Sequence, residues 1–211
     1  MAKRTAEEEA ARIRAMKEFD LSKKCGEHLA GVDEAGRGPL AGPVFAAAVI
    51  LTDDTVIEGI NDSKKLSEKK RGELFDIIKE KAAAYSVCAV SEARIDEINI
   101  LQATFQAMRG AVAGLDITPD YVLVDGNKSP GLAQGHETVV KGDSKSMAIA
   151  AASILAKVSR DRYMLKMAKK YPGYGFEKHK GYGTKAHYEA ISELGISDIH
   201  RRTFLKNFYD R

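Results

Sequence analysis

The sequence predicts an α/β domain with a mixed central sheet that helices flank. Short runs of nearly all-apolar or β-branched residues occur in the first two thirds of the chain, as in buried strands. Longer segments with apolar residues at helical spacing separate and follow these runs. The length of 211 residues suits one domain of ordinary size.

The residues before the first strand are predicted to form a helical arm. Residues 5–20 have apolar side chains along one side of a helix, for example Ile13 and Met16. We expect this helix to pack on the domain. The chain is therefore divided into an N-terminal arm over residues 1–25 and a main domain over residues 26–211.

A glycine-rich bend separates the first two predicted strands. Residues 29–33 predict a short strand that runs into the bend Gly-Arg-Gly-Pro-Leu-Ala-Gly-Pro. Residues 43–51 are nearly all apolar, which is typical of a buried strand. Residues 67–83 then have the apolar spacing of a helix, and residues 85–90 predict a third strand.

Two long helices are predicted in the rest of the chain. Residues 91–113 are expected to be helical in two pieces, with a break near Asn99. Residues 144–170 contain no Gly or Pro and have one apolar side, with Ser144 in the position of an N-cap. The remaining predicted elements are strands at 121–125 and 137–140 and a last short helix at 185–193.

The composition argues against several classes of protein. No apolar run approaches the roughly 18 residues of a membrane span, and the charged N-terminus lacks the apolar stretch of a signal peptide. We therefore expect a cytoplasmic protein without a membrane partner. Cys25 and Cys88 have no CxxC spacing, so two reduced thiols are expected and structural zinc is not.

The motifs of other enzyme chemistries are absent from the sequence. There is no GxxxxGK[ST] loop, no HExxH and no GxSxG. The five histidines show no zinc-ligand spacing, and each is expected to be an ordinary surface or hydrogen-bonding residue. They are His28, His136, His179, His187 and His200.

The net charge of +3 conceals an uneven distribution. Residues 141–211 contain 15 Lys or Arg against 7 Asp or Glu, whereas residues 1–140 contain 18 against 23. A basic C-terminal third suggests a partner that bears phosphate groups, although solvated helix faces would give the same count.

Two carboxylates stand where predicted buried strands end. Asp33 follows the first apolar run, and Asp125 follows Tyr-Val-Leu-Val. A charge at the end of a buried strand costs free energy unless it has a partner, and ligand sites of α/β sheets form at strand ends. Either residue alone could be a cap or turn former, but the pair favours a site.

Three further acidic residues are candidates for the same site. Asp143 precedes the long predicted helix, where it would either complement the helix dipole or join the same sheet edge. Glu34 follows Asp33, and in a regular strand the two would point to opposite faces, so both serve one site only where the strand ends or is distorted. Asp161 would lie roughly 27 Å from Asp143 along one helix, so we read it as a partner of nearby arginines.

Several carboxylates in one cleft repel each other unless cations neutralise them, and oxygen ligands suit Mg²⁺ or Mn²⁺. Two such ions about 3.5–4 Å apart activate water and stabilise the leaving oxygen in phosphodiester cleavage. The residues therefore predict a two-metal nuclease. The alternatives are a metal-dependent phosphatase or nuclease of another substrate class, and a noncatalytic nucleic-acid-binding protein.

The segment Ala-Gly-Val-Asp-Glu-Ala-Gly-Arg-Gly-Pro-Leu-Ala-Gly-Pro-Val over residues 30–44 resembles the signature of type 2 ribonuclease H, the bacterial ribonuclease HII family. Six more blocks are similar to that family in the same order, and the resemblance covers about residues 28–205. These blocks are residues 61–66 (NDSKKL), 124–126 (VDG), 141–143 (KGD), 151–157 (AASILAK), 179–184 (HKGYGT) and 200–202 (HRR).

The resemblance implies a ribonuclease H-like fold and a catalytic domain over residues 26–211. It implies hydrolysis of the RNA strand in RNA–DNA hybrids. It also implies incision 5′ of single ribonucleotides embedded in duplex DNA, which leaves 3′-hydroxyl and 5′-phosphate ends. The partners would be those two nucleic acids, and the protein would act as a monomer.

Site residues follow from the same resemblance, by their positions in the matching blocks. The catalytic metal ligands, for two Mn²⁺ or Mg²⁺ ions, would be Asp33, Glu34, Asp125 and Asp143. A loop that senses the 2′-hydroxyl, a phosphate contact and a tyrosine that packs against the sugar would be Gly36, Arg37, Gly38, Lys64 and Tyr182. Glycines suit such a loop because a backbone without Cβ atoms can approach the hydroxyl closely.

Overall fold

The computed structural model describes residues 5–209, with the side chains of residues 207 and 209 outside that description. Its strands are β1 (Leu29–Ala35), β2 (Val44–Ile50), β3 (Ala84–Val90), β4 (Tyr121–Asp125) and β5 (Gly135–Val139). They form one sheet in the order β3-β2-β1-β4-β5. The pairs β1–β2 and β2–β3 are antiparallel, and the pairs β1–β4 and β4–β5 are parallel. The predicted mixed sheet is confirmed.

Helices cover both faces of this sheet. They are α1 (Ala6–Lys23), α2 (Glu68–Lys81), α3 (Glu92–Ala113), α4 (Met147–Lys170), α5 (Phe176–His179), α6 (Lys185–Leu194) and α7 (Lys206–Tyr209). Single 3₁₀ turns occur at Ser63–Lys65, Gly142–Ser144 and Arg202–Phe204. The sequence did not predict α5, α7 or the 3₁₀ turns. In the described range, no helix is both long and apolar enough to cross a bilayer.

The alternation of side chains along β2 builds a separate core on each face of the sheet. Ala47 and Val49 pack with residues of α1, α2 and α4. Ala46 and Ala48 point the other way and pack with α3. These buried side chains fix α4 against one face and α3 against the other.

The helix predicted at residues 5–20 is confirmed as α1, and it packs against the core of the structure. Thr5 and Glu8 form a capping box at the start of α1. Ile13 and Met16 lie in the core beside α2 and α4. Near the other end of α1, Asp20 accepts a hydrogen bond from the backbone N–H of Ala148 at 3.0 Å, in the first turn of α4.

The start of α4 differs from the prediction. Ser144 was predicted as the N-cap, but the N-cap is Ser146, whose hydroxyl accepts from the N–H of Ile149. Lys141 has a left-handed backbone with a φ of 56°. The chain then makes the 3₁₀ turn Gly142–Ser144 before the helix begins, and this turn separates Asp143 from α4.

The predicted break in α3 is confirmed at Asn99, where φ is 66° and ψ is 163°. Its side-chain oxygen accepts from the N–H groups of Leu101 and Gln102. Asn99 thus caps the second half of the helix. The cap supports a backbone conformation that residues other than glycine rarely adopt.

Candidate active site

The carboxylates at the strand ends meet at one edge of the sheet. The parallel register pairs Val32 of β1 with Val124 of β4, so that Asp33 and Asp125 follow at adjacent positions. Glu34 is the next residue of β1, and the strand ends one residue later at Ala35. The sheet therefore brings three of the predicted metal ligands together.

Asp33 is the most deeply placed of these groups, with 6% of its surface exposed. Burial raises the pKa of its carboxyl well above the usual value, and the negative charges of Glu34 and Asp125 raise it further. Hydrogen bonds from the Ser153 hydroxyl and the N–H of Glu34 lower that pKa but do not offset burial. A buried carboxylate among like charges favours a cation as its partner.

Glu34 lies between Arg37 and Asp125. Burial raises its pKa, whereas the Arg37 guanidinium, 3.6 Å from the Glu34 carboxylate, lowers it. The pairing of β1 with β2 stays regular through Ala35. Glu34 nevertheless lines the same cavity as Asp33, one residue before β1 ends, and Gly36 then turns the chain with a φ of 100°.

Asp143 is joined to this edge through Asp125. The carboxylate of Asp125 accepts from the N–H of Gly142 at 2.6 Å, which holds the 3₁₀ turn against the end of β4. Burial, together with the charges of Asp62 and Asp125, raises the pKa of Asp143 to about 6. Ser146 and Asp20 cap α4 instead of Asp143, so the second reading of Asp143, a carboxylate delivered to the sheet edge, is favoured.

Lys64 places a positive charge among these carboxylates. Burial lowers the pKa of its ammonium group, but the charges of Asp33, Asp62 and Asp143 outweigh burial and raise it. Asp62 also accepts from the N–H of Lys64 at 2.9 Å. Sequence reasoning missed Asp62 as a member of the cluster, although it lies in the same matching block as Lys64.

The donor set of this cluster fits divalent cations because it consists of carboxylate oxygens whose charges are only partly neutralised. Among residues 5–209, no three His, Cys, Asp or Glu side chains already enclose a point that would hold an ion. Arg37 and Lys64 supply positive charge to the carboxylates in this arrangement.

A cavity of about 220 Å³ adjoins the carboxylates. It brings together all five of the predicted substrate-binding residues with two of the predicted metal ligands. Its lining includes Asp33, Glu34, Gly36, Arg37, Gly38, Lys64 and Tyr182, with Ser63, Ser153 and Lys157. A second cavity, of about 160 Å³, shares Glu34 and Arg37 and extends past Asp125 to α3.

Tyr182 stands across the first cavity from the glycine-rich loop and is 44% exposed. A Cβ atom added at Gly38 would lie 3.9 Å from the tyrosine ring. Lys157 and Arg160 contact the ring as cations, 6.0 and 5.7 Å from its centroid. The ring is therefore held by two cations and still has exposed surface in the cavity that a ligand could contact.

Two buried arginines hold the glycine-rich loop from behind. Arg201 donates hydrogen bonds to the carbonyls of Gly36, Arg37 and Gly42 at 2.6–2.9 Å. Arg160 donates to the carbonyls of residues 41 and 43. Arg201 and Arg160 are 0% and 1% exposed, so these bonds are shielded from water and fix the loop firmly. Sequence reasoning did not single out either arginine.

Asp161 is paired with Lys157 at 2.7 Å and lies 4.0 Å from Arg71. The prediction of an arginine partner is thus confirmed, although the lysine is nearer. The premise that Asp143 and Asp161 share one helix is wrong, since Asp143 lies in the 3₁₀ turn before α4.

Three of the histidines form a cluster behind Tyr182. His179, His187 and His200 stack or tilt against one another with ring centroids 4.5 and 5.2 Å apart. All three are hydrogen-bonded, as predicted, but His187 and His200 are buried and are not surface residues. The sequence could not show this cluster because its members come from three separate segments.

The buried histidines predict a specific response of stability to acid. Burial lowers the pKa of both His187 and His200 to about 4, against about 6.5 in an unfolded chain. Between these values the unfolded chain binds more protons at these sites, so their contribution to the free energy of unfolding falls as the pH drops from about 6.5 to about 4. Urea unfolding at several pH values should show this loss.

A histidine variant provides the control because the raised pKa values of Asp20 and Asp143 act in the opposite sense. His187→Asn should lose less stability than the wild type over the same interval of pH. If the two proteins lost stability in parallel, the buried histidines would not be the cause.

The chain is similar to known proteins both in sequence and in structure. The family model described as Ribonuclease HII matches residues 30–207. A ribonuclease HII of Clostridioides difficile is 58% identical over 180 residues, covering 85% of this chain and 71% of that protein. The crystal structure of ribonuclease H2 from Pyrococcus horikoshii superimposes with a TM-score of 0.71 at 32% identity, over 83% of this chain and 93% of the other.

A second solved structure, Bst-RNase HIII in complex with Mn²⁺, has a TM-score of 0.62 at 16% identity, over 84% of this chain and 65% of that one, which shows the shared fold. The ribonuclease H-like fold is therefore confirmed. The chain belongs to the ribonuclease HII family, hydrolases that cleave the RNA strand of RNA–DNA hybrids.

Proposed function

We propose that this ribonuclease also incises duplex DNA 5′ of single embedded ribonucleotides, by a two-metal-ion mechanism that leaves 3′-hydroxyl and 5′-phosphate ends. The observation that supports this most directly is the cavity in which the glycine-rich loop and Tyr182 face each other beside the carboxylates. A site that recognises one ribose needs to contact only one nucleotide, and this cavity has that scale.

Asp33, Glu34, Asp125 and Asp143 are the residues that would hold two Mg²⁺ or Mn²⁺ ions. Their oxygens, the raised pKa values of Asp33, Glu34 and Asp143, and their convergence at one sheet edge support this assignment. The Mn²⁺ in the related ribonuclease HIII fold is consistent with it. When bound, two such ions supply an activated water and stabilise the leaving oxygen.

The other residues of the cavity would position the nucleotide. The ammonium of Lys64, which lies among the carboxylates, would contact a phosphate oxygen of the cleaved strand. Gly36, Arg37 and Gly38 would present backbone groups to the 2′-hydroxyl, which alone distinguishes ribose from deoxyribose. Tyr182 would pack against the sugar beside the ribonucleotide.

The proposal predicts a defined pattern of cleavage. In Mg²⁺ and in Mn²⁺, a labelled duplex with one ribonucleotide should be cut once, on the 5′ side of the ribonucleotide, and a long hybrid should be cut at many positions. The matched all-DNA duplex should remain intact, because it lacks the hydroxyl that the loop would sense. Denaturing gels with end-specific labelling give both the position and the chemistry of the ends.

Two results would overturn parts of the proposal. Efficient cutting of the all-DNA duplex would remove the role given to the loop. Cutting of the long hybrid alone would leave a ribonuclease H that does not act on single ribonucleotides.

A further inference from the structure

We propose that His200 and His187 are positioning residues that fix Tyr182 for recognition of the ribose, through a directed chain of hydrogen bonds. This inference rests on the role proposed above for Tyr182. Neither histidine lines the cavity, so both would act through the tyrosine.

The direction of the chain follows from its first donor. The backbone N–H of Ser197 can only donate, and it lies 2.9 Å from Nδ1 of His200. Nδ1 of His200 is therefore an acceptor, and in a neutral ring Nε2 carries the hydrogen. Nε2 of His200 lies 3.1 Å from Nε2 of His187 and donates to it.

The bond from His200 determines which nitrogen of His187 carries the hydrogen that is donated to Tyr182. Because Nε2 of His187 accepts, its Nδ1 carries the hydrogen. Nδ1 lies 2.9 Å from the backbone carbonyl of Tyr182, to which it donates. Each ring thus has one tautomer that satisfies both of its neighbours, and any other arrangement would set two donors or two acceptors against each other.

His179 holds the same loop from its other end. Its Nδ1 accepts from the N–H of Gly181, and its Nε2 donates to the carbonyl of Tyr174 at 2.8 Å. The backbone carbonyl of His179 accepts from the N–H of Tyr182 at 2.9 Å. The backbone N–H of Tyr182 is therefore tied to one histidine, and its carbonyl accepts from another histidine and from the N–H of Thr184 at 2.8 Å.

These bonds also set the distance between the two walls of the cavity. The N–H of Leu40, in the glycine-rich loop, donates to the carbonyl of Gly181 at 2.8 Å, and the N–H of Arg201 donates to the carbonyl of Leu40 at 2.8 Å. His200 precedes Arg201, which holds the carbonyls of the loop. A shift of the histidines would therefore change the spacing between Tyr182 and the loop.

The imidazole rings of His187 and His200 are buried and closely packed. His187 and His200 are 0% and 3% exposed, and both rings contact Phe176. Water cannot replace a lost bond there, so without the Nδ1 donor the Tyr182 carbonyl would keep only its bond from the N–H of Thr184. A displacement of about 1 Å in a positioning group can cost far more activity than its distance from the reaction suggests.

Two substitutions of His187 distinguish the loss of its hydrogen bond to Tyr182 from a change in side-chain volume. In His187→Asn, the side-chain amide can occupy the place of Nδ1 and donate to the Tyr182 carbonyl. In His187→Gln, the amide lies further out, near the place of Nε2, and leaves that carbonyl with the N–H of Thr184 as its one donor. We expect kcat/KM on a duplex with one ribonucleotide to fall about tenfold in His187→Gln and less than threefold in His187→Asn.

A double variant that combines His187→Gln with Tyr182→Ala tests whether His187 affects activity through Tyr182. If His187 acts through the tyrosine ring, His187→Gln should cost little further activity once the ring is gone. A purely structural role would give the same fold loss in both backgrounds, and that result would overturn the inference. A folded His187→Asn with a loss as large as that of His187→Gln would also overturn it.

The same measurements distinguish a failure of this inference from a failure of the proposed function. If the wild type fails to cut the single ribonucleotide, or if Tyr182→Ala cuts it normally, the proposed role of the cavity fails. If both of those results are as expected and only the double-variant test fails, the histidines have no positioning role and the function stands.

Discussion

Asp125→Asn is expected to lower the turnover of a duplex with one ribonucleotide by about a thousandfold or more, while the duplex still binds. The carboxylate of Asp125 is close enough to those of Glu34 and Asp143 for its charge to raise the pKa of both. Loss of a residue that merely supports a metal ligand costs about 10–100-fold, so a larger loss is expected for a ligand itself. Single-turnover rates and duplex binding in Ca²⁺ or without metal measure the two effects.

The fold should tolerate this change. The Asp125 oxygen accepts from the N–H of Gly142 at 2.6 Å, and the amide oxygen of asparagine can accept the same bond. The turn that carries Asp143 should therefore stay in place. Asp161→Asn is the matched control, because Asp161 is also buried but is paired with Lys157 instead. It should lose no more than about tenfold. Near-normal turnover of Asp125→Asn in Mg²⁺ would show that the assignment of the site is wrong.

Gly31→Ala is expected to lower the free energy of unfolding by about 3 kcal/mol, the upper end of the range for overpacked cores. Gly31 lies in β1, two residues before Asp33, directly against the first turn of α4. A Cβ atom there would lie 2.2 Å from the backbone carbonyl carbon of Ala148 and 2.3 Å from the N of Ile149. Backbone atoms cannot rotate aside as a side chain can, so strand and helix would have to separate.

The same substitution elsewhere in the chain provides the control. Gly72 lies inside α2, and a Cβ atom there would meet no atom within 4 Å. Gly72→Ala should raise the free energy of unfolding by up to about 1 kcal/mol, because alanine is the better helix former. Denaturant unfolding of the two variants beside the wild type measures both. Equal stability of Gly31→Ala and the wild type would contradict the close packing of β1 on α4.

Parts of the site were predictable because their signal is local. An apolar run that ends in a carboxylate indicated Asp33 and Asp125, and the parallel pairing of β1 with β4 brought them together. Asp143 was ambiguous, since a 3₁₀ turn that follows a left-handed Lys141 cannot be told from the first turn of a helix by composition. Its placement depends on the bond between Asp125 and the N–H of Gly142.

Other parts could not be predicted from periodicity or from motifs read one at a time. His179, His187 and His200 come from α5, α6 and the segment before the last 3₁₀ turn, and only tertiary packing joins them. Arg160 and Arg201 resemble ordinary charged residues in the sequence, yet both are buried under the glycine-rich loop. The sequence contains no local pattern that distinguishes a buried arginine clamp from a solvated charge.

The capping of α4 by Asp20 implies that the folded unit begins earlier in the chain than the match to the family model does. The family match starts at Ala30, but α1 precedes it, fills part of the core and supplies an acceptor to the first turn of α4. A protein trimmed to the matching region would leave an N–H of that turn without its partner, a short distance from Asp143. Residues outside the family match can thus still complete the helix that follows the proposed metal site.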